Sequence, residues 1–259
     1  MYLLLFLLFI IIVFIIYLYT NEIDDFSNTN YDIINKNIVL ITSKIIVSNN
    51  NFSYAEKRSI YTSEERYQQT LKTINSVRQM IPNSFIVLVD NSILPEDMIT
   101  NIKLNTDCFI NITDNIELNY NTDVNPIKAY AEISQQLCFY NYFIKKIDIT
   151  KIKYFFKISG RYFINENFNY LQFDNENNIF KNNVDITNKI YNYTSFYKLN
   201  KNILPFYFTN LEKIINEKNI PEPNDLEVII ANMLKDKITL IDNLGLTQII
   251  SVYDSINNI

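Results

Sequence analysis

The residues with the clearest chemical potential follow an aromatic and β-branched segment at positions 154–158. Ser159, Gly160 and Arg161 come directly after it, and Gly160 is one of only 2 glycines in 259 residues. Because glycine is so rare here, its position indicates a backbone requirement, either a tight turn or a turn with positive φ. A small-residue turn followed by arginine can present a cation to an anionic ligand at the carboxyl edge of an α/β sheet. A hairpin turn with a surface arginine fits these residues equally well.

Lys157 lies inside the same apolar segment. A lysine within a buried strand is costly unless it is paired or faces a cleft. Two interpretations therefore stay open with equal weight. Lys157 is either a functional cation or the partner of a buried carboxylate.

Two other apolar runs also end in polar residues. Thr42 and Ser43 follow the run at 38–41, while Asp90, Asn91 and Ser92 follow the run at 85–89. Ligands of open α/β sheets bind beyond the carboxyl ends of the strands, so we expect these ends to converge with the one at 159–161. Such a set suits a sugar nucleotide, with a carboxylate for the ribose or base and a cation for the diphosphate. Alternatively, the strand ends are polar only because they reach solvent.

Two arginines flank the start of a predicted helix. Residues 62–65 (TSEE) have the form of a capping box, and the free amides and dipole of such a helix start favour an anion. We expect Arg66 to pair with a helix carboxylate. Arg58 lies in a loop with Lys57 and Tyr61 and is freer to reach a ligand.

The composition excludes several classes of site. There is no histidine, which rules out imidazole bases, Ser-His-Asp triads and histidine metal ligands. Cys108 and Cys138 lie in apolar segments without C-x-x-C spacing, so we exclude a zinc site and expect two core thiols rather than a disulfide. A net charge of −5 argues against sequence-independent binding of nucleic acid.

Strands alternate with helices from residue 37 onward, which predicts parallel pairing, right-handed crossovers and one α/β domain over 37–259. The predicted elements of the first half are strands at 38–41, 85–89, 108–110 and 154–158, and helices at 62–81, 95–104 and 126–146. Those of the less regular second half are a strand at 193–199, helices at 206–219 and 225–234, and apolar runs at 238–241 and 249–253.

The first 19 residues carry no charge and are almost wholly apolar, which predicts a transmembrane helix. No convincing small-residue cleavage site follows, so we expect an uncleaved signal anchor rather than a cleaved signal peptide. Residues 20–36 are polar and resemble a short stem. The residues that flank the apolar stretch say little about its orientation in the membrane. Only acidic residues follow it closely, and these orient a membrane span weakly. We expect a single-pass membrane protein with its bulk beyond one membrane face.

The succession of these segments resembles glycosyltransferase-like proteins with a nucleotide-diphospho-sugar transferase fold, of the GT-A type. The segments that carry the resemblance are 38–43, 58–59, 64–74, 86–92 and 156–162, with a fainter match at 244–252. The resemblance implies a mostly parallel, Rossmann-like sheet preceded by the single transmembrane helix. It also implies a nucleotide-sugar donor, a glycan or glycoconjugate acceptor, and an endomembrane location with the domain on the lumenal side.

The sequence departs from this family at the metal site. Metal-dependent members hold Mn²⁺ or Mg²⁺ with an Asp-x-Asp pair after an apolar strand, whereas the corresponding strand end here reads Ser159-Gly160-Arg161. The cofactor therefore stays open. Either Arg161, Lys157 or Arg58 neutralises the diphosphate without a metal, or the chain is a catalytically inactive, membrane-anchored scaffold or interaction protein.

Inverting transfer also needs a carboxylate to deprotonate the acceptor hydroxyl. Glu227 lies one turn into the helix predicted at 225–234, and its position makes it the candidate base. The alternative is a solvated helix carboxylate without a catalytic role.

Overall fold

The computed structural model describes residues 31–182, 193–218, 220, 226–250 and 255–258. The anchor expected at 1–19, and most of the stem, lie outside the described residues. In the described part of the chain, no helix combines the length and the apolarity needed to cross a membrane.

The described residues contain ten strands, which form two sheets. In chain order they are β1 (Asn37–Thr42), β2 (Ser84–Asp90), β3 (Cys108–Asn111), β4 (Tyr154–Ser159), β5 (Phe163–Ile164), β6 (Asn178–Lys181), β7 (Phe196–Asn200), β8 (Ile238–Ile241), β9 (Leu246–Ile250) and β10 (Ser255–Asn258). The large sheet has the order β3-β2-β1-β4-β7-β6-β8, and a small antiparallel sheet has the order β10-β9-β5. This arrangement confirms the expected mixed α/β fold.

The first four strands of the large sheet are parallel, with β1 between β2 and β4. In this register Thr42 pairs with Ser159, so both strands end at the same edge. β7 pairs antiparallel with β4 and with β6, which the alternation of elements did not predict. Because β7 runs the opposite way, the residues before its first residue, not after its last, reach the edge where β4 ends.

The helices cover both faces of the large sheet. They are α1 (Ser63–Met80), α2 (Glu96–Asn105), α3 (Ile116–Asn119), α4 (Lys128–Tyr142), α5 (Leu204–Glu217) and α6 (Leu226–Leu234). The capping box is confirmed, since the Thr62 hydroxyl accepts from Glu65 N at 3.2 Å and the Glu65 carboxylate accepts from Thr62 N at 2.7 Å.

The helix predicted over 126–146 is shorter in the structure. α4 ends at Tyr142, because Phe143 leaves helical geometry (φ −123°) and packs its ring against Phe139 and Phe85; a 3₁₀ turn then covers Ile144–Lys146. The sequence did not predict α3 or the π-helix Tyr120–Val124 that continues it.

The core consists of two apolar layers, one on each face of the large sheet. In β1, Ile38 and Leu40 point into the layer shared with α4, α5 and α6, while Val39 and Ile41 point into the layer shared with α1 and α2. Burial on both faces explains why this strand reads as a continuous apolar run. Cys108 and Cys138 are free and buried, as predicted.

Candidate functional site

The ends of β1 and β4 touch at Gly160. Gly160 N donates to Thr42 O at 2.8 Å, and the Thr70 hydroxyl donates to Gly160 O at 3.0 Å. A Cβ at position 160 would lie 3.0 Å from the Ser43 Cβ and 3.1 Å from Thr42 O. Positive φ occurs at Gly245 and not at Gly160. Close approach of two strand ends, rather than a left-handed turn, therefore explains this glycine.

A cavity lies beyond these strand ends, with about 90 Å³ of free space. Six residues singled out in the sequence line it: Thr42, Ser43, Arg58, Ser159, Gly160 and Arg161. Other lining residues include Lys44, Phe52, Arg66, Thr122, Lys128, Glu132 and Gln135. The structure thus brings the ends of β1 and β4 together with the loop 44–62 and one face of α4. The roles of the six residues in ligand binding stay predictions.

Arg58 is less free than its loop position suggested. Its guanidinium is buried and donates to the carbonyls of Thr122, at 3.0 Å, and Asn125, and it lies 4.3 Å from the centre of the Phe52 ring. Its Nε has no hydrogen-bond partner among the described residues. Burial lowers the pKa of Arg58. No carboxylate of the described residues lies within ion-pair distance of Arg58, and the charge of Asp123 acts on it only from a greater distance.

Arg66 does not pair with a helix carboxylate, so that prediction is wrong. It donates from Nε to Lys44 O at 2.8 Å and from Nη1 to the Ser59 hydroxyl at 3.2 Å. The side chain points back from the first turn of α1 to the loop, away from the exposed acids of that turn. Burial, reinforced by the positive charge of Arg161, lowers its pKa to about 9, so it stays protonated at neutral pH.

Arg161 lies at the cavity wall with one N–H group bound. Its Nη1 donates to Ile249 O at 3.1 Å, which links the site to β9 in the small sheet. The described residues give it no carboxylate within ion-pair distance. A guanidinium carries five N–H donors, so several remain for a ligand.

Asp90, Asn91 and Ser92 do not line the cavity. Asp90 accepts from Ile45 N at 2.9 Å and from Ser92 N at 2.6 Å, so its carboxylate fixes the chain after β1 and after β2. Asn91 donates to Asn119 and Thr122, both at 2.8 Å. Asn91 and Ser92 instead border a neighbouring open groove of about 320 Å³, which also includes Lys44. Their predicted contact with ribose or base remains untested.

Lys157 takes part in a buried ion pair. Its ammonium donates to Thr194 O at 2.8 Å and to the Ser159 hydroxyl at 3.1 Å, and it lies 3.8 Å from Glu132 Oε2. Burial lowers the pKa of Lys157, while Glu132 opposes that shift. The interpretation as a buried ion-pair partner is confirmed, while a role of Lys157 as a functional cation stays a prediction.

Glu132 sits between two lysines on the α4 side of the cavity. Its Oε1 lies 3.1 Å from the Lys128 ammonium, one helical turn earlier. Burial would raise the pKa of Glu132, but the positive charges of Lys128 and Lys157 outweigh it and lower the pKa. The carboxylate is therefore ionised at neutral pH. Glu132 in turn raises the pKa of Lys128.

Glu227 is partly buried, close to Lys128 and Glu132. The alternative drawn from the sequence, a solvated helix carboxylate, does not describe it. Its Oε1 accepts from the Thr194 hydroxyl at 2.8 Å, just before the start of β7. Burial raises the pKa of Glu227; Lys128 acts against the shift and Glu132 adds to it. A carboxyl group with a raised pKa is a better proton acceptor than an ordinary one at neutral pH.

Sequence reasoning missed the three polar residues that α4 contributes. Lys128, Glu132 and Gln135 recur at spacings of four and three, so they form one stripe on a helix that is otherwise mostly apolar on its buried side. Such a polar stripe on a helix is a sequence pattern from which these lining residues could have been predicted.

The residues present do not fit a divalent metal. Within the described ranges, no group of three or more carboxylates or thiols could hold an ion. The carboxylate that lines the cavity, Glu132, is already paired with Lys128 and flanked by Lys157. A cation would meet ammonium and guanidinium groups there instead of oxygen ligands. What this donor set can hold is an anion and hydroxyl groups.

No family model and no curated protein sequence matches this chain. Among solved structures, the glycosyltransferase GlyE of Streptococcus pneumoniae matches at 11% identity with a TM-score of 0.49, over 80% of this chain and 45% of that one. Mouse xyloside xylosyltransferase 1 matches at 9% identity and a TM-score of 0.44, over 80% and 85% of the two chains.

Core-mannan synthase A of Aspergillus fumigatus, in its Mn/GDP form, matches at 11% identity and a TM-score of 0.38, over 73% of this chain and 68% of that one. The chain thus spans less than half the length of GlyE. Similarity of this degree establishes no activity, substrate or metal for this chain.

Proposed function

We propose that this protein is a glycosyltransferase that moves a sugar from a nucleoside-diphosphate donor to a hydroxyl of a glycan, glycoprotein or glycolipid. The observation that carries the proposal is the cavity at the carboxyl edge of the parallel strands. Arg58, Arg66 and Arg161 line it without a carboxylate at ion-pair distance in the described part of the chain, together with the carboxylate of Glu132. A second carboxylate, Glu227, lies close enough to interact electrostatically with Lys128 and Glu132. The cations suit the diphosphate, and the carboxylates suit the sugar and the proton that is transferred.

The diphosphate in this proposal is held without a metal. Arg161 has N–H donors without a partner among the described residues, and Arg58 donates to the neutral carbonyls of Thr122 and Asn125. Arginine matches phosphate oxygens in a bidentate manner, and such charge-assisted bonds are about twice as strong as neutral ones. These side chains would stabilise the charge that develops on the leaving nucleoside diphosphate, which is the task of the metal in metal-dependent transferases.

Glu227 is the proposed base. In a direct displacement the acceptor oxygen forms a bond to the anomeric carbon while the bond from that carbon to the diphosphate oxygen breaks. The acceptor proton passes to the Glu227 carboxylate, and the nucleoside diphosphate leaves with the electron pair. The raised pKa of Glu227 and its hydrogen bond from Thr194 support this role.

The N-terminal anchor expected from the sequence would keep the enzyme beside acceptors of the same membrane.

Calorimetric titration of the full chain, purified in mild detergent, tests the proposal. UDP, GDP and CMP and their sugar conjugates are titrated with MnCl₂ and, separately, with EDTA. We expect one nucleotide series to bind with equal affinity under both conditions. Binding that disappears with EDTA would contradict metal independence. If no series binds at millimolar concentration, the inactive scaffold is the better description.

A further inference from the structure

The second carboxylate oxygen of Glu132 lacks a hydrogen-bond donor. Oε1 receives Lys128, whereas Oε2 is buried and has no hydrogen-bond partner among the residues that the structure describes. The nearest cation, the Lys157 ammonium, is 3.8 Å away and donates instead to Thr194 O and the Ser159 hydroxyl. A buried carboxylate oxygen without a hydrogen-bond donor is costly, and native structures seldom leave one without a reason.

The surroundings of Oε2 select the kind of donor that could pair with it. Two lysines already compensate the charge of Glu132, so a third cation would be repelled. A phosphate would be repelled by the carboxylate itself. A neutral O–H group fits both conditions, and an O–H donor to a carboxylate makes a short, strong bond.

Ser159 adds a complementary donor close by. Its hydroxyl oxygen accepts from Lys157, which leaves the hydroxyl hydrogen available for a ligand in the cavity. Glu132 and Ser159 both approach the Lys157 ammonium, at 3.8 and 3.1 Å. They therefore offer one acceptor and one donor within the reach of neighbouring hydroxyls on one sugar ring.

We infer that Glu132 is the residue that recognises a hydroxyl of the transferred sugar, with Oε2 as the acceptor. This inference rests on the proposed function. It adds that the two sides of the cavity bind different parts of the donor. The arginine side binds the diphosphate, and the α4 side binds the hydroxyls of the sugar. The donor class is then a nucleotide sugar with a free hydroxyl directed at α4.

The test measures how much the sugar adds to binding. The quantity is the ratio of the dissociation constant of the free nucleoside diphosphate to that of its sugar conjugate, for the nucleotide that binds the wild type. In Glu132→Gln we expect this ratio to fall by about 10–100-fold while the affinity for the free diphosphate stays within about twofold. Glu212→Gln is the control, because Glu212 also pairs with a lysine, Lys145 at 3.3 Å, but lies outside the cavity.

Deoxy-sugar conjugates complete the test. One deoxy conjugate should bind the wild type more weakly and bind Glu132→Gln no more weakly than its parent sugar does. An unchanged ratio in a folded Glu132→Gln protein would overturn the inference and leave the proposed function intact. Absence of all nucleotide binding in the wild type would overturn both. Should the glutamine variant unfold, Glu132→Asp serves instead, since it keeps the charge and withdraws the oxygens from the sugar.

Discussion

At the scale of single residues, the candidate site is marked by polar groups whose hydrogen-bonding or ion-pairing capacity is only partly used within the described part of the chain. Arg161 contributes one N–H to Ile249 O and has no carboxylate partner in the described part of the chain. Glu132 has one carboxylate oxygen without a hydrogen-bond donor among the described residues. Both residues line one cavity, and the proposed ligand meets them with negative charge at one end and hydroxyls at the other.

Arg161→Ala should weaken binding of the nucleoside diphosphate about 10- to 100-fold, because a charge-assisted, bidentate contact is worth roughly 1.5–3 kcal/mol. Arg161→Lys should restore only part of this loss, since an ammonium lacks the planar fork. Titration calorimetry measures both variants. Arg78→Ala, which removes an arginine paired with Asp107 outside the cavity, should leave the affinity unchanged. Wild-type affinity in a folded Arg161→Ala protein would refute the assignment.

Glu227 should make stability depend on pH. Its pKa is raised in the folded protein, so its favourable contribution is complete below the pKa of the unfolded chain and is lost as pH rises through the folded pKa. Glu227→Gln has no such dependence, so the variant should gain stability relative to wild type as pH rises above about 4. Urea unfolding at several pH values measures the difference. A difference that is constant with pH would contradict the raised pKa.

At the scale of elements, Gly160 decides how closely β1 and β4 approach at the site. Gly160→Ala would place a Cβ 3.1 Å from Thr42 O, and a backbone atom cannot move aside cheaply. We expect a loss of about 1–3 kcal/mol in the free energy of unfolding, measured by urea denaturation. The ligand affinity should fall as well, because Thr42 and Ser43 would shift with the strand end. Unchanged stability would show that the two ends are not in contact.

The start of α1 offers a second test at this scale. Thr62→Ala removes the hydroxyl that caps Glu65 N and should cost about 1 kcal/mol of stability, while Thr62→Ser should retain most of it. Thermal denaturation measures both variants. Equal stability of the alanine and serine variants would mean that this cap contributes nothing.

The elements also show which parts of the structure are predictable from sequence. Runs such as 38–41 and 85–89 are buried on both faces, so continuous apolarity identifies them as strands. The TSEE capping box marks the start of α1 because its bonds are local. By contrast, the direction of β7 depends on its partners β4 and β6, which are distant in sequence, and no local pattern encodes it.

The same distinction holds for the site. The glycine and arginine after β4 stand out by residue type, and the structure places both at the cavity. Glu132 looks like an ordinary helix carboxylate until tertiary packing buries it between Lys128 and Lys157. The role assigned to Arg66 failed for a similar reason, since its partner is the carbonyl of Lys44, and a carbonyl has no signature in the sequence.

For the whole molecule, the distribution of charge matters more than its sum. The chain carries a net charge of −5, yet the cavity is lined by Lys44, Arg58, Arg66, Lys128 and Arg161. A small anion that enters the cavity meets these cations, whereas a large polyanion meets the acidic exterior. We expect the protein to bind a nucleoside diphosphate and to pass through a heparin column at about 0.15 M salt. Retention on heparin would reveal a basic outer face and contradict this distribution.

The loop 44–62 is fastened to the segment 120–126 along its length. Lys44 pairs with Asp123 at 3.0 Å, Ser53 N donates to Pro126 O at 2.9 Å, and Arg58 holds the carbonyl of Thr122 at 3.0 Å. The free space in the cavity, which is open to solvent on one side, is about 90 Å³. Ligand pockets usually measure roughly 300–1,000 Å³. We therefore expect a nucleotide sugar to enter fully only after some of these bonds have opened.

We expect the opening of the loop 44–62 to limit the rate at which a ligand enters the cavity. If opening precedes entry, the observed association rate in rapid-mixing experiments should rise with ligand concentration and then level off at the rate of loop opening. Asp123→Asn, which weakens one fastening, should raise that plateau. An observed rate that stays proportional to ligand concentration throughout would mean that binding does not require the loop to open first. If the rate does level off, the ion pair and hydrogen bonds of this loop determine how often the cavity can accept a ligand, while the arginines determine the affinity.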